Sequence, residues 1–168
     1  MCVGAGDVVL DPTCGVGSVV IQGAKIAPSA LFYAGDICTN TVAQCRDNVA
    51  LANTAGLVHV VAMDARQLPF RDNVFTAIVC DLPFNKNHRV QGPLVEFYRR
   101  VLCELKRTAR PDCRMAVLVA QVEDLVAASV GLWCIEETHP VSLGQLAAVM
   151  VLLSRCAEPV TQVPDTSL

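Results

Sequence analysis

The sequence predicts an α/β domain: a mostly parallel seven-stranded sheet flanked by helices and closed by a C-terminal antiparallel hairpin. Three observations carry this expectation. Short apolar runs of strand length alternate with amphipathic stretches of helix length, as in a parallel sheet with crossover helices. The hydrophobic share is 53% while aromatics contribute only 5%, so the apolar mass is Val, Leu and Ala, as in strands covered on both faces. The last two apolar runs follow one another with no helix between them, which requires a hairpin.

The elements follow in order. Asp7 to Asp11 reads as a first strand ending in an acid, and Pro12 to Gly17 as a tight loop. Ser18 to Ala27 is a helix capped by Gly17 or Ser18 and stopped by Pro28. Ala30 to Gly35 is a second strand, ending at Asp36. Thr39 N-caps a helix reaching Ala52, with Val42, Cys45, Val49 and Ala52 on one stripe. Asn53 to Gly56 closes that helix with residues that tolerate the left-handed conformation. Val58 to Ala62 is a third strand, followed by Met63 and Asp64, and Pro69 with Arg71 to Asn73 makes a turn. Phe75 to Cys80 is a fourth strand running into Asp81. Pro93 to Thr108 is an amphipathic helix, with Leu94, Tyr98, Val101, Leu102 and Leu105 opposite Glu96, Arg99, Arg100 and Arg107. Met115 to Ala120 is a fifth strand and Val122 to Val130 a short helix ended by Gly131. Trp133 to Val141 and Leu146 to Leu153 form the hairpin, turning near Gly144. Residues 1–156 are read as one domain and 157–168 as a flexible C-terminal tail.

At 168 residues a single domain buries roughly 70% of the surface of its unfolded chain, enough for an ordinary apolar core. Mean hydropathy is +0.45, yet no apolar run reaches the ~18 residues of a membrane span. The N-terminus lacks a basic region and an apolar signal core, so the expectation is a cytoplasmic chain, with the nucleus as the alternative. The nine cysteines form no CxxC pair and read as reduced core residues, with no metal site expected. His59, His88 and His139 show no ligand or triad spacing, and Tyr98 and Trp133 read as packing residues. Net charge is −3, but residues 86–114 hold eight Lys/Arg against Glu96, Glu104 and Asp112. That basic segment suits a polyanion or a solvated helix face. Lys86, Arg89, Arg99 and Arg100 are the candidates for phosphate contacts with such a polyanion.

Three constellations carry chemistry. Asp11-Pro12-Thr13-Cys14-Gly15-Val16-Gly17-Ser18 joins a strand to a helix, at the edge where open α/β sheets bind ligands. It lacks the third glycine of a dinucleotide fingerprint. An acid ahead of the loop suits the cationic amino-acid end of S-adenosylmethionine better than a pyrophosphate. Acids also close each early strand: Asp11, Asp36, Asp64 and Asp81. Asp36 lies at the distance from Gly17 at which an acid reaches a ribose diol, and Asp64 is placed to accept an adenine amino group. Finally, Asp81-Leu82-Pro83-Phe84 offers a carboxylate and a carbonyl to hold an exocyclic amine, a proline to stiffen the turn, and a ring on which a base can stack.

The pairing of Asp-Pro-Thr-Cys-Gly-Val-Gly-Ser with Asp-Leu-Pro-Phe, and the run from Val141 to Arg155, resembles the catalytic domain of THUMP-domain RNA guanine-N2 methyltransferases. The likeness extends from Val8 to Arg155. It implies a Rossmann-like class I methyltransferase fold, S-adenosylmethionine as cofactor, tRNA or another small structured RNA as substrate, and guanosine N2 as acceptor. A small zinc-binding activator subunit is an implied partner. Carried over, Asp11, Gly15, Gly17, Asp36 and Asp64 would bind the cofactor, with Pro12, Cys14, Ile37 and Ala65 beside them, and Asp81 to Phe84 would hold the target base. Asn85 departs from the family pattern, which has Gly there, and the chain starts at the first strand with no THUMP module ahead of it. The expectation is therefore a catalytic domain alone, from a fragment, short isoform or truncated product. Methylation of adenine N6 or protein glutamine, and a non-catalytic RNA- or protein-binding module, remain as alternative readings, with a nicotinamide-dependent oxidoreductase the most remote.

Overall fold

The computed structural model describes residues 2–82, 92–143 and 146–156. The apolar runs become strands and the amphipathic stretches helices, in the order β1 (Val8–Asp11), α1 (Ser18–Ile26), β2 (Leu31–Asp36), α2 (Thr39–Leu51), β3 (Val58–Ala62), β4 (Phe75–Asp81), α3 (Leu94–Thr108), β5 (Ala109–Val119), α4 (Val122–Ser129), β6 (Trp133–Leu143) and β7 (Leu146–Arg155). The sheet order is β3-β2-β1-β4-β5-β7-β6. Pairings from β3 through β5 are parallel, and β7 runs antiparallel to both β5 and β6. The order reverses between β1 and β4, so a crevice opens at the carboxyl ends of those two strands.

Alternation along each strand supplies both faces. Leu10 and Ile78 point into a core shared with Tyr98, Val101 and Leu105 of α3 and Leu125 of α4. Their neighbours Val9 and Ala77 join Val20 of α1 and Cys45 and Val49 of α2 on the other side. Trp133 anchors the hairpin: its ring is buried and Nε1 donates to the Leu102 carbonyl at 3.0 Å. Tyr98 is likewise fully buried.

Several expectations need correction. Thr39 is the first helical residue of α2, with Cys38 at the cap position. The fifth strand begins at Ala109, well before Met115, because α3 passes into it directly. Ala109 pairs with Phe75, and the ladder resumes at Ala77–Arg114 after an irregularity that takes up the Pro111 segment. Pro140 lies within β6, where an edge position asks for no N–H on the outer side. The cysteines are not uniformly core residues. Cys14, Cys45, Cys80 and Cys113 are free and buried, whereas Cys2, Cys38 and Cys103 are exposed. Cys134 and Cys156 are joined as a disulfide, since the hairpin register brings their Cα atoms to 5.4 Å. Among the described residues no helix is long and apolar enough to cross a membrane. The expected turn at Gly144 and tail at 157–168 lie outside the described residues.

Candidate active site

The loop after β1 is held from three sides. The Cys14 N–H donates to the Gly35 carbonyl at 2.8 Å. Asn48 Nδ2, reaching up from α2, donates to the Val16 carbonyl at 3.0 Å. The Gly15 N–H donates to Asp36 Oδ2 at 3.2 Å. The two glycines serve different ends. Gly17 has φ 89° and caps α1, and a Cβ there would lie 2.6 Å from Cys45 Sγ. Gly15 has φ 53°, and a Cβ there would meet nothing within 4 Å, so this stretch of backbone borders open space. Cys14 turns inward instead, its Sγ 3.9 Å from that of Cys45.

Asp11, Asp36 and Asp81 end β1, β2 and β4 on one edge of the sheet. Asp11 is 3% exposed and accepts the Thr13 N–H at 3.2 Å. Burial pushes its carboxyl up to about 7, and the charges of Asp81 and Asp36 add to this. Burial also raises Asp81. Asp36 accepts the Cys38 N–H at 2.9 Å, and beside it Ile37 is 66% exposed, an apolar shelf facing solvent. Pro12 and Ala65 are packed inward. The chain after Asp81 is pinned to β5 by the Leu82 N–H, which donates to the Leu118 carbonyl at 3.1 Å.

Asp64 stands apart. It follows β3 rather than ending it, in an isolated bridge with Gln67. Its carboxylate is gripped by Arg66 through Nε and Nη2 at 2.7–3.1 Å, which holds it below the usual carboxylate range. Arg66 also lies 5.9 Å from the Phe97 ring centroid. Asp64, Arg66, Arg99 and Arg100 border an open cleft of about 480 Å³. Arg99 is fixed there by donating to the Ala128 and Val130 carbonyls at the end of α4, at 3.1 and 3.0 Å, while Arg100 is exposed. Much of the basic segment is similarly engaged: Arg107 with Glu104 and Asp72, Arg110 with Asp112, and Arg114 with Asp7. Pro83, Phe84, Lys86, His88 and Arg89 lie outside the described residues.

Sequence reasoning missed three residues here. Asn48 of α2 holds the loop carbonyl, and a polar residue beside the buried stripe of that helix was its only signal. Thr13 Oγ1 and Gln121 Oε1 are buried without a hydrogen-bond partner among the described residues. Nothing in the pattern of one sequence distinguishes them from ordinary loop residues.

Whether these residues fit an S-adenosylmethionine-sized group is decided by their chemistry. Asp11 offers a carboxylate for a cationic amine, Asp36 acceptors for a diol, and Ile37 an apolar face for a planar ring. The Gly15 backbone, bordering open space, is hydrogen-bonded to Asp36, and Thr13, whose hydroxyl has no partner among the described residues, is hydrogen-bonded to Asp11. The donor set fits.

Fold and edge together define the class, a Rossmann-like α/β domain with its ligand edge at the carboxyl ends of the strands. The structure of TrmN from Thermus thermophilus superposes with a TM-score of 0.81 at 22% identity, covering 91% of this chain and 45% of that one. A SAM-dependent methyltransferase from Aquifex aeolicus gives 0.70 at 20% identity, covering 90% of this chain and 84% of that one. The chain belongs to the RMKL-like methyltransferase domain family (UPF0020), whose model matches residues 3–139. Among curated relatives, the Bos taurus tRNA (guanine(6)-N(2))-methyltransferase THUMP3 is 29% identical over 164 residues, covering 89% of this chain and 32% of that protein. The Bos taurus U6 snRNA (guanine-N(2))-methyltransferase THUMPD2 is 26% identical over 117 residues, covering 70% of this chain and 23% of that protein. The chain thus spans about a third or less of the length of these relatives.

Proposed function

We propose that this chain is a catalytic domain that transfers a methyl group from S-adenosylmethionine to guanosine N2 in tRNA or another small structured RNA. The observation that carries the reading is Asp81, set at the end of β4 beside the crevice where Gly15, Asp11 and Asp36 converge. The guanine-N2 activities of the relatives named above support the choice of acceptor.

An amine conjugated to a purine is a weak nucleophile because its lone pair is delocalised into the ring. Asp81 counters this by accepting hydrogen bonds from the amine, together with the Leu82 carbonyl, so that the nitrogen lone pair is turned toward the crevice. S-adenosylmethionine supplies a methyl group on a positively charged sulfur. Asp11 would hold the cofactor's ammonium, Asp36 its ribose diol, Ile37 one face of its adenine and Thr13 a further polar group, with Asp64 available for the adenine amine once Arg66 shares it. The residues contribute orientation and charge placement. No strong base is required, because the amine becomes acidic as its bond to carbon forms and Asp81 stands ready to accept the proton.

Arg100 and Arg99, with Lys86 and Arg89, are proposed to meet RNA phosphates. A small zinc-binding activator subunit is a proposed partner, on the strength of the resemblance to THUMP-domain enzymes. Such RNA substrates support a cytoplasmic location, with the nucleus as the alternative.

Asp81→Ala tests the reading. Methyl transfer from labelled cofactor to unmodified tRNA transcripts should fall by at least about a hundredfold, with N2-methylguanosine as the wild-type product and unchanged affinity for S-adenosylhomocysteine. A variant as fast as wild type, or N6-methyladenosine as product, would contradict it.

A further inference from the structure

Folded proteins seldom bury a polar side-chain atom without a partner, and such an orphan asks for an explanation. Among the described residues the two orphans, Thr13 Oγ1 and Gln121 Oε1, are not scattered. Thr13 follows β1 and Gln121 follows β5, and β4 lies between those strands. Both orphans therefore sit at the carboxyl edge, one on either side of Asp81. Thr13 belongs to the glycine loop and falls within the cofactor site proposed above. Gln121 does not.

Among the described residues no hydrogen bond occupies Gln121 Oε1. The residue stands at the cap position of α4 but makes no capping hydrogen bond with its side chain. Its strand is tied to the end of β4: Asp81 pairs with Leu118, and the Leu82 N–H donates to the Leu118 carbonyl at 3.1 Å, three residues ahead of Gln121. Adjacent strands lie about 4.8 Å apart, so a planar base held at Asp81 can span the gap to β5. The Gln121 amide oxygen, without a partner among the described residues, would be satisfied by a donor that a base held at Asp81 brings to it. Guanine presents two neighbouring donors, the N2 amine and N1–H. Adenine presents its amine beside a lone pair at N1, which an amide oxygen would repel.

We propose that Gln121 is a specificity-determining residue that accepts the N1–H of the target guanine while Asp81 holds the N2 amine. The proposal rests on the guanine-N2 reading above and adds the group that recognises the base.

The test uses two short synthetic RNAs, identical except for guanine or 2-aminopurine at one unpaired position. 2-Aminopurine keeps the exocyclic 2-amino group and lacks N1–H. Methyl-transfer kcat/KM is compared for wild type, Gln121→Met and Gln121→Glu, beside S-adenosylhomocysteine affinity and thermal midpoint. Wild type should prefer guanine by about tenfold, the effect of one hydrogen bond left unmade at a buried acceptor. Gln121→Met should lose that preference while its cofactor affinity holds and its midpoint stays level or rises, because an unpartnered buried oxygen is removed. Gln121→Glu, which remains an acceptor, should keep the preference, and it carries the test alone if the Met variant does not fold. A preference unchanged in Gln121→Met, whether both rates fall together or neither does, overturns the assignment, as does its loss in Gln121→Glu. A wild-type chain that binds S-adenosylhomocysteine yet methylates neither RNA overturns the guanine-N2 reading, and this assignment with it.

Discussion

Asp11 shows how one side chain sets the electrostatics of the crevice. Its carboxyl moves from 3.8 to about 7 in the folded chain, first through burial and then through Asp81 and Asp36, which corresponds to roughly 4 kcal/mol between its two protonation states. The folded chain keeps that proton up to about pH 7, whereas the unfolded chain releases it near 3.8. Between those values the folded state binds more protons, so stability falls as pH rises across the window and the loss is complete above it. Asp11→Asn keeps the acceptor for the Thr13 N–H and should raise the thermal midpoint at pH 8 by several degrees, with little change near pH 4.5. Equal midpoints for variant and wild type at both pH values would refute this. At this scale the sequence was informative about residue type and less so about circumstance. Strand-end acids could be read from position, but the grip of Arg66 on Asp64 and of Arg99 on the α4 carbonyls depends on loop conformations that only tertiary packing sets.

The glycine loop and the two helices behind it behave as one packed unit. Gly17 combines a positive φ with a Cβ direction that points at Cys45 of α2, so Gly17→Ala meets both backbone strain and a steric clash. Each contributes about 1–3 kcal/mol, and chemical denaturation should show a loss of about 3 kcal/mol. Adding Cys45→Ala in that background should recover the clash and leave the backbone part; strictly additive losses in the double variant would refute the packing explanation. Loop, helix start and strand end were all legible here, because Gly, Pro and acids punctuate the chain. Legibility failed at the start of the fifth strand. It was expected from Met115 but begins at Ala109, where an irregular ladder accommodates Pro111. The Cys134–Cys156 pair was equally invisible, since it depends on hairpin register rather than on spacing.

Across the whole molecule, the alternation of strands and helices pointed to a parallel sheet, and the two consecutive strands at the end pointed to the hairpin that inserts β7 between β5 and β6. The sequence did not disclose the strand order itself, since order is a property of crossover geometry. That order matters most for function, because it places β1 and β4 side by side and so brings the glycine loop, Asp36 and Asp81 to one crevice. The central proposal, that the crevice of this chain binds S-adenosylmethionine, is tested most directly by calorimetric titration with S-adenosylhomocysteine, beside an Asp36→Ala variant of confirmed fold. Micromolar binding by the wild-type chain, weakened at least tenfold in the variant, is the predicted result. No binding by a folded wild-type chain would contradict it.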